Sequence, residues 1–285
     1  MRYCGRDFTD QEITSIRRII SEDSKRSRAS ISRLVCQSLG WLKPDGALKE
    51  MSCRVALLRM EKDGLLRLPP ARPCTARQWC GVQHTAATDP ATPVSIRADL
   101  LPEIHLKQVT HPGDSRLWNE FIDRYHYLRF KPLPGAQLRY IASCGGQFLA
   151  FLGFGAAAWK VAPRDRFICW SDEQRMENLH LVVNNARFLI LPWVHSSNLA
   201  SRLLAMIAKQ LPLDWQQRYG YRPLLLETFV ETQRFQGTSY KAANWIRVGQ
   251  TKGRGKLDVH CRAALPRKDI WLYPLSSRFK SLLCS

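Results

Sequence analysis

A carboxylate within an apolar segment is the first candidate for chemistry. Glu227 interrupts Leu224–Val230, a run that is otherwise mostly apolar and is predicted to be a buried strand. A charge in such a place pairs with a cation or faces a cleft, because an unpaired buried charge is costly. Arg187, beside Asn184 and Asn185, is the predicted partner. Glu227 therefore has two open interpretations, a structural ion pair and a catalytic group.

The same carboxylate is also a candidate ligand in a metal centre for phosphodiester chemistry. Asp165, Asp172 and Glu227 offer the oxygen ligands that Mg²⁺ prefers, although their spacing matches no established motif. A second group of metal-binding residue types, which matches no common zinc spacing, consists of Cys74, Cys80 and His84. No metal site is therefore predicted, and the cofactor stays unassigned.

The charge balance indicates a polyanionic partner. The 285 residues include 43 Lys and Arg against 24 Asp and Glu, a formal net charge of +19. Residues 1–75 contribute +6 and residues 231–285 contribute +8. Such an excess favours the neutralisation of phosphates, so DNA, duplex or single-stranded, is the predicted partner. A basic protein with a surplus of solubilising charge is the alternative.

The first 75 residues have the pattern of a winged helix-turn-helix domain. Thr9 and Glu12 predict a capping box at the start of a first helix. A second helix is predicted near residues 30–39 and a third after residue 46, with a short strand at 65–70. The apolar residues predicted to form the core stripe of the third helix are Leu48, Met51, Val55 and Leu58. A small helical bundle that only docks on its neighbour is the alternative.

Two basic elements are predicted to contact nucleic acid. The third helix of a winged helix-turn-helix enters the major groove, and its predicted contacts are Lys49, Arg54, Arg59 and Lys62. The second element alternates glycine with cations, a composition that suits a phosphate backbone, and its predicted contacts are Lys252, Arg254 and Lys256. A solvated hairpin tip is the alternative for the second element.

The remainder of the chain is predicted to be a linker and a larger mixed domain. Residues 76–112 are rich in proline, alanine and threonine and lack periodicity, which predicts a linker. Residues 113–285 alternate helices with strands, predicted at Leu138–Cys144, Phe148–Ala157, Phe188–Val194, Leu224–Val230, Ile246–Gly249 and Ile270–Tyr273. The predicted fold class is α+β, with a winged helix, a Pro-rich linker and a mixed α/β domain.

The order of elements in the larger domain, ending in Tyr240-Lys-Ala-Ala-Asn-Trp245 and Val248-Gly249, resembles the GNAT acetyltransferase superfamily. The resemblance implies a GNAT-like fold and a catalytic Tyr240, at the position of a tyrosine that protonates the leaving thiolate. That superfamily binds pyrophosphate with a glycine-rich turn at a helix N-terminus. The corresponding segment here, Pro192–Ser201, departs from the pattern because it has no glycine.

Distinctive motifs occur along nearly the whole chain: Trp41–Leu66, Tyr125-His-Tyr-Leu128, Asn184–Trp193, Asn198-Leu-Ala-Ser201, Glu227-Thr-Phe-Val230 and Gly253-Arg-Gly255. Together they resemble the DruA family, the first subunit of the Druantia anti-phage defence system, which has relatives beside or within transposable elements. The resemblance implies a bacterial role in defence or mobile DNA, together with other proteins of the same locus. It supplies no catalytic residue, and His126 is predicted to be a core residue.

Two classes of function stay open. The leading hypothesis is a cytoplasmic DNA-binding component of a defence system. The cytoplasmic assignment follows from the lack of a long apolar run or signal peptide and from nine cysteines without a C-x-x-C motif. The rival is an enzyme, either an acyl- or aminoacyl-type transferase acting through Tyr240 or a nucleic-acid-processing enzyme acting through Glu227. The oligomeric state is left open.

Overall fold

The computed structural model describes residues 1–23, 26–71, 81–254 and 263–285. The chain divides into two compact units, Met1–Trp79 and Cys80–Ser285, and each has a hydrophobic core of its own. Within the described ranges, no helix is both long and apolar enough to cross a membrane. The six cysteines in these ranges are free thiols.

The first unit is a short antiparallel hairpin followed by three helices. Its elements are β1 (Arg2–Tyr3), β2 (Arg6–Asp7), α1 (Asp10–Ser21), α2 (Arg28–Ser38) and α3 (Glu50–Lys62). The capping box of α1 is confirmed: the Thr9 hydroxyl accepts a hydrogen bond from the Glu12 amide, and the Glu12 carboxylate accepts one from the Thr9 amide. The three predicted helices are therefore present.

The predicted core stripe of α3 is wrong. Met51, Val55 and Leu58 are exposed, and only Leu48 packs partly against the core. The helix instead buries the opposite face, made of Cys53, Ala56, Leu57 and Met60. The small side chains of Cys53 and Ala56 on this face let α3 pack closely against α2. The buried face of α3 is therefore the one with the smaller apolar side chains.

The predicted strand at residues 65–70 is also wrong, because its backbone groups bond to side chains and not to another strand. The Leu68 amide donates to the Glu61 carboxylate, 2.8 Å away. Two arginines of the first unit complete the pattern: Arg17 donates to the Leu65 carbonyl and Arg28 to the Pro69 carbonyl, both at 2.7 Å. Three backbone polar groups of this segment are thus satisfied by side chains, without a sheet.

The second unit is a seven-stranded mixed sheet with helices on both faces. Its elements in chain order are β3 (His105–Gln108), α4 (Pro112–Tyr125), β4 (Gln137–Cys144), β5 (Gln147–Ala156), α5 (Ala162–Ile168), α6 (Asp172–Asn178), β6 (Val182–Ile190), α7 (Leu199–Tyr219), β7 (Leu225–Glu231), α8 (Thr238–Ala242), β8 (Ile246–Gln250), β9 (Lys268–Pro274) and α9 (Phe279–Leu283). The strand order is β3-β4-β5-β6-β7-β9-β8, and only β6 and β7 are parallel. The predicted mixed α/β domain is confirmed.

Neighbouring residues of β4 show which helix covers which face. The Arg139 guanidinium donates to Asn119 and Ser115 of α4, both at 2.9 Å. The next residue, Tyr140, points the other way and donates to Asp214 of α7 at 2.8 Å. Helices α4 and α7 therefore cover opposite faces, and alternate residues of each strand belong to alternate faces.

The structure differs from the prediction over the proposed linker. From residue 81 onward, the interval 76–112 belongs to the second unit, and β3 is an edge strand of its sheet. Val94 forms a parallel bridge with Val194, and the Thr88 hydroxyl donates to the buried Glu120 carboxylate at 2.8 Å. The predicted boundary at residues 75 and 76 lies outside the described residues. Proline-rich composition here marks an irregular segment that packs onto the sheet.

Candidate functional site

The candidate site lies where the two parallel strands separate. β6 and β7 are paired only over Val182–Asn184 and Leu225–Glu227, although both strands continue beyond these residues. Beyond these residues the main chains of β6 and β7 no longer form hydrogen bonds with each other, and side chains form hydrogen bonds with the main chain instead. The Thr228 hydroxyl, for example, donates to the Asn185 carbonyl at 3.0 Å. The resulting gap is lined by polar groups from both faces of the sheet.

Glu227 sits at the closed end of this gap in a saturated ion-pair cluster. Its side chain is fully buried, and Arg164, also fully buried, donates to it at 2.9 Å. The Ala158 amide donates to the other carboxylate oxygen at 2.8 Å. The predicted pairing with Arg187 is wrong, because α5 brings Arg164 to this place. The structural interpretation of Glu227 is the one that these contacts support.

Asp165 completes the cluster from the other side of the same guanidinium. Its Oδ1 accepts hydrogen bonds from Arg164 Nε and Nη2 at 2.9 and 2.8 Å and from the Trp170 indole at 3.1 Å. Its Oδ2 accepts from the Val161 amide at 3.0 Å. Both oxygens of Asp165 are therefore occupied, Oδ1 by the guanidinium and the indole and Oδ2 by a backbone amide.

The three carboxylates of the proposed metal centre do not converge. Asp165 and Glu227 hold one arginine between them, whereas Asp172 is exposed and bonded to Arg175 and Lys160. Over the part of the chain that the structure describes, no three His, Cys, Asp or Glu side chains are grouped as metal ligands. Cys74 and Cys80 lie outside the described residues.

Tyr240 is half-buried, and its phenol proton is already engaged. The hydroxyl donates to Asn185 Oδ1 at 2.8 Å, and the Thr228 hydroxyl lies 3.4 Å away. Burial raises the pKa of Tyr240 above its ordinary value. A phenol in this setting keeps its proton and orients Asn185, whose amide in turn donates to the Arg187 carbonyl at 3.0 Å. Tyr240 thus lies beside the gap, where it positions Asn185.

Arg187 enters the gap from the opposite face. Arg187 is buried, yet within the described part of the chain its Nε has no hydrogen-bond partner and its Nη1 donates only to the Ala186 carbonyl, at 2.7 Å. Burial lowers the pKa of this guanidinium. Both arginines are buried and donate to a backbone carbonyl, but Arg164 also has two carboxylate partners, and Arg187 has none among the described residues.

His126, at the end of α4, lies beside Arg187. Burial, followed by the positive charge of Arg187, lowers the pKa of His126 to about 4, so the ring is neutral at pH 7. Its Nδ1 accepts a hydrogen bond from the Leu128 amide at 3.1 Å, which leaves the proton on Nε2. His126 is buried, as predicted for a core residue, but its surroundings are polar.

Tyr127, Glu231 and Arg234 complete the lining of the gap. Burial is the main cause that raises the pKa of Tyr127. The charge of Glu231 raises this pKa further and the charge of Arg187 lowers it, so both charged groups lie close to the Tyr127 hydroxyl. Glu231 is paired with Arg234, 3.0 Å away. The sequence offered no signal for these three residues except that Tyr127 and Glu231 belong to or adjoin distinctive motifs.

The predicted nucleic-acid contacts are in several different environments. Arg59 and Lys62 of α3 are exposed and, within the described residues, form no ion pair. Arg54 is paired with Glu50, whose carboxylate lies 3.5 Å away, and Lys49 is half-buried before α3. In the second unit, Lys252 is exposed and Arg254 makes further contacts, while Lys256 lies outside the described residues.

The fold and the site define an α+β protein of two units, in which a polar gap opens between two parallel strands of a seven-stranded sheet. Residues 86–263 match the family model described as Druantia protein DruA. The chain belongs to the DruA family. The comparison with curated proteins returned no match.

Solved acetyltransferase structures resemble this chain only distantly. An aminoglycoside acetyltransferase in complex with coenzyme A matches at 13% identity and a TM-score of 0.40, over 64% of this chain and 100% of its own. A Drosophila melanogaster polyamine N-acetyltransferase matches at 12% identity and a TM-score of 0.39, over 60% and 100%. The Escherichia coli ribosomal-protein-S18-alanine N-acetyltransferase matches at 10% identity and a TM-score of 0.37, over 61% and 95%. Similarities of this size establish neither the reaction nor the ligand of the present chain.

Proposed function

We propose that this protein is the DNA-binding component of a bacterial anti-phage defence system or an associated mobile element. Membership of the DruA family supports the role in Druantia-type defence. The net charge of +19 supports a polyanionic partner. Nucleic acid is contacted through the three-helix first unit and through basic segments of the second, and other proteins of the same defence locus act with it.

The outward face of α3 carries this proposal. Arg59 and Lys62 lie on it without a carboxylate partner within the described residues, beside the exposed side chains of Met51, Val55 and Leu58. Cations and apolar groups on one exposed helix face suit a major groove, since phosphates attract the cations and thymine methyl groups accept the apolar contacts. The unexpected exposure of the apolar stripe therefore strengthens the assignment of α3 as the duplex-facing helix.

A gel-shift titration against salt tests the proposal. Affinity for duplex should fall steeply as salt rises, because each neutralised phosphate contributes a slope of about −0.9. Replacing both Arg59 and Lys62 by Ala should weaken duplex binding about tenfold or more and reduce the salt slope by about 2.

The matched control replaces Arg18 and Arg33 by Ala, which removes the same charge from α1 and α2. These two arginines lie beside Glu22 and Glu50, so their loss should change affinity much less. Equal losses in both double variants would contradict the role of α3. Salt-insensitive binding, or none to any duplex or single strand, would overturn the DNA proposal itself.

An enzyme acting at the gap is the second candidate function. The observation in its favour is the convergence of His126, Tyr127, Arg187 and Glu231 with Tyr240 at the separation of β6 and β7. Thermal melting with acetyl-CoA, Mg²⁺, Mn²⁺ or short DNA, one at a time, tests it, because a ligand that binds only the folded state raises Tm. A shift with acetyl-CoA and none with DNA would favour a transferase over the DNA-binding proposal.

A further inference from the structure

We propose that Arg187 is the centre of an oxyanion-binding site in the gap between β6 and β7. The ligand is a monoanionic group that presents two oxygens to the guanidinium, as a carboxylate or a phosphodiester does. This site is separate from the DNA-binding face of α3, and the two proposals are tested by different measurements.

The first observation is a buried cation without a counter-ion. Arg187 forms no ion pair within the described residues, its Nε has no partner, and its one hydrogen bond goes to the adjacent carbonyl of Ala186. An arginine keeps its proton at every physiological pH, so it cannot avoid the cost of burial by becoming neutral. A bound anion would supply the missing partner.

The second observation is that the surrounding groups do not neutralise Arg187. His126 is neutral at pH 7, with its pKa lowered to about 4 by burial and by Arg187 itself. Glu231, the nearby carboxylate, is engaged by Arg234 at 3.0 Å. The cluster of His126, Arg187, Glu231 and Arg234 therefore has one net positive charge, which matches a monoanion.

The third observation is that the fold holds Arg187 in this place. The β5–β6 register shifts between Gly153 and Phe154, and Arg187 lies opposite Gly153. A Cβ on Gly153 would lie 2.9 Å from the Trp118 ring and 3.3 Å from the Arg187 Cβ, so glycine is required there. Because Nη1 is held by the Ala186 carbonyl, the Nε–Nη2 edge is the one left for a ligand. That edge binds two oxygens side by side.

Thermal melting of the full chain tests this site with acetate and with dimethyl phosphate, each against sodium chloride at equal ionic strength. We expect one of these oxyanions to raise the Tm of the unaltered protein by about 3 °C or more near saturation. The anion that gives the larger shift identifies the ligand as carboxylate or phosphodiester. A Tm that is the same in both anions as in chloride would overturn the proposal.

The variant Arg187→Met should abolish the anion response and, in chloride, melt no lower than the unaltered protein, because it removes an unpaired buried charge. The matched control is Arg139→Met, since Arg139 has hydrogen-bond partners in Asn119 and Ser115. That control should melt lower and keep the anion response. If Arg187→Met melts as low as the control, Arg187 is structural and the proposal fails.

A second variant covers the case in which Arg187→Met does not fold. Arg187→Lys keeps the positive charge but has no planar fork, so it should fold and lose the anion response. An unchanged response in Arg187→Lys would overturn the assignment of the guanidinium as the anion ligand. Gel-shift affinity for duplex is measured on the same variants, and its retention would separate failure of this site from failure of DNA binding.

Discussion

Two buried arginines of the second unit, Arg164 and Arg187, have opposite surroundings. Arg164 is held by Glu227 and Asp165, with an indole and a carbonyl completing its contacts. Arg187 has no carboxylate partner among the described residues and an unsatisfied Nε. The first arrangement is complete within the protein, and the second is complete only with an additional anion. A buried arginine is thus a structural group or a binding group according to its partners.

The difference follows from the distance between β6 and β7. Where the strands are paired, Glu227 lies at the register position of Asn184, and the α5 side chain of Arg164 closes over it. Where they separate, Glu231 pairs with Arg234 on the following loop and forms no ion pair with Arg187 among the described residues. The same residue types therefore give a tight cluster at one end of the gap and an unpaired cation at the other.

Removal of Glu227 is expected to have the largest effect. Glu227→Gln keeps the shape of the side chain but leaves the buried Arg164 without one of its two carboxylates. Breaking a buried ion pair in this way costs about 3–5 kcal/mol, and the free energy of unfolding should fall by that order. Urea denaturation measures the loss. A change below about 1 kcal/mol would show that the Arg164 cluster is not the structural element described above.

Protonation of His126 at low pH should lower the free energy of unfolding by about 3 kcal/mol. Its folded pKa is about 4, below the ordinary value of about 6.5, so the unfolded chain binds more protons between these pH values. The stability from the neutral ring is complete above about pH 6.5 and is lost as pH falls through 4. Urea denaturation from pH 7 to 4, with His126→Asn as reference, isolates this contribution.

The same titration sharpens the comparison of the two arginines. In Arg187→Met the positive charge beside His126 is absent, so the folded pKa of His126 should rise; the loss of stability should still begin near pH 6.5, but it should end at higher pH and be smaller. In Glu227→Gln the titration window of His126 should stay where it is in the unaltered protein. If stability is lost over the same pH range in Arg187→Met as in the unaltered protein, the proximity of His126 and Arg187 is contradicted.

The smallest effect is expected at Glu231. Glu231→Gln makes the same chemical change as Glu227→Gln four residues further along β7, but its partner Arg234 is 59% exposed. Ion pairs with solvent-exposed partners contribute about 0–1 kcal/mol, so stability should fall by less than about 1 kcal/mol. Urea denaturation of both variants under one set of conditions gives the contrast. Equal losses would show that depth of burial does not separate the two carboxylates.

Several elements were predictable because their signals are local. The capping box at Thr9 and Glu12 and the strand around Glu227 follow from residues close together in sequence. The first half of β6 was not predicted, because Asn184, Asn185 and Arg187 interrupt its apolar pattern. These polar residues line the gap, so the weakest local signal coincides with the candidate site.

The face of α3 shows a different limit of local patterns. Met51, Val55 and Leu58 have helical spacing, and so do Cys53, Ala56, Leu57 and Met60. Hydrophobicity favours the first set, whereas close packing against α2 favours the second, with its small side chains. Which of two apolar faces is buried depends on the shape of a neighbour that periodicity does not describe.

The sequence by itself determined the mixed α/β character of the second unit, the three helices of the first and the strongly basic charge, because these depend on local hydrogen bonds, short-range periodicity and composition. Only the tertiary structure decided the partner of Glu227, which is Arg164, 63 residues away along the chain. It likewise decided that Arg187 has no carboxylate partner in the ranges that the structure describes. The physical reason is that buried charges interact over a few ångströms, and those distances are set by strand order and by the point at which two strands separate.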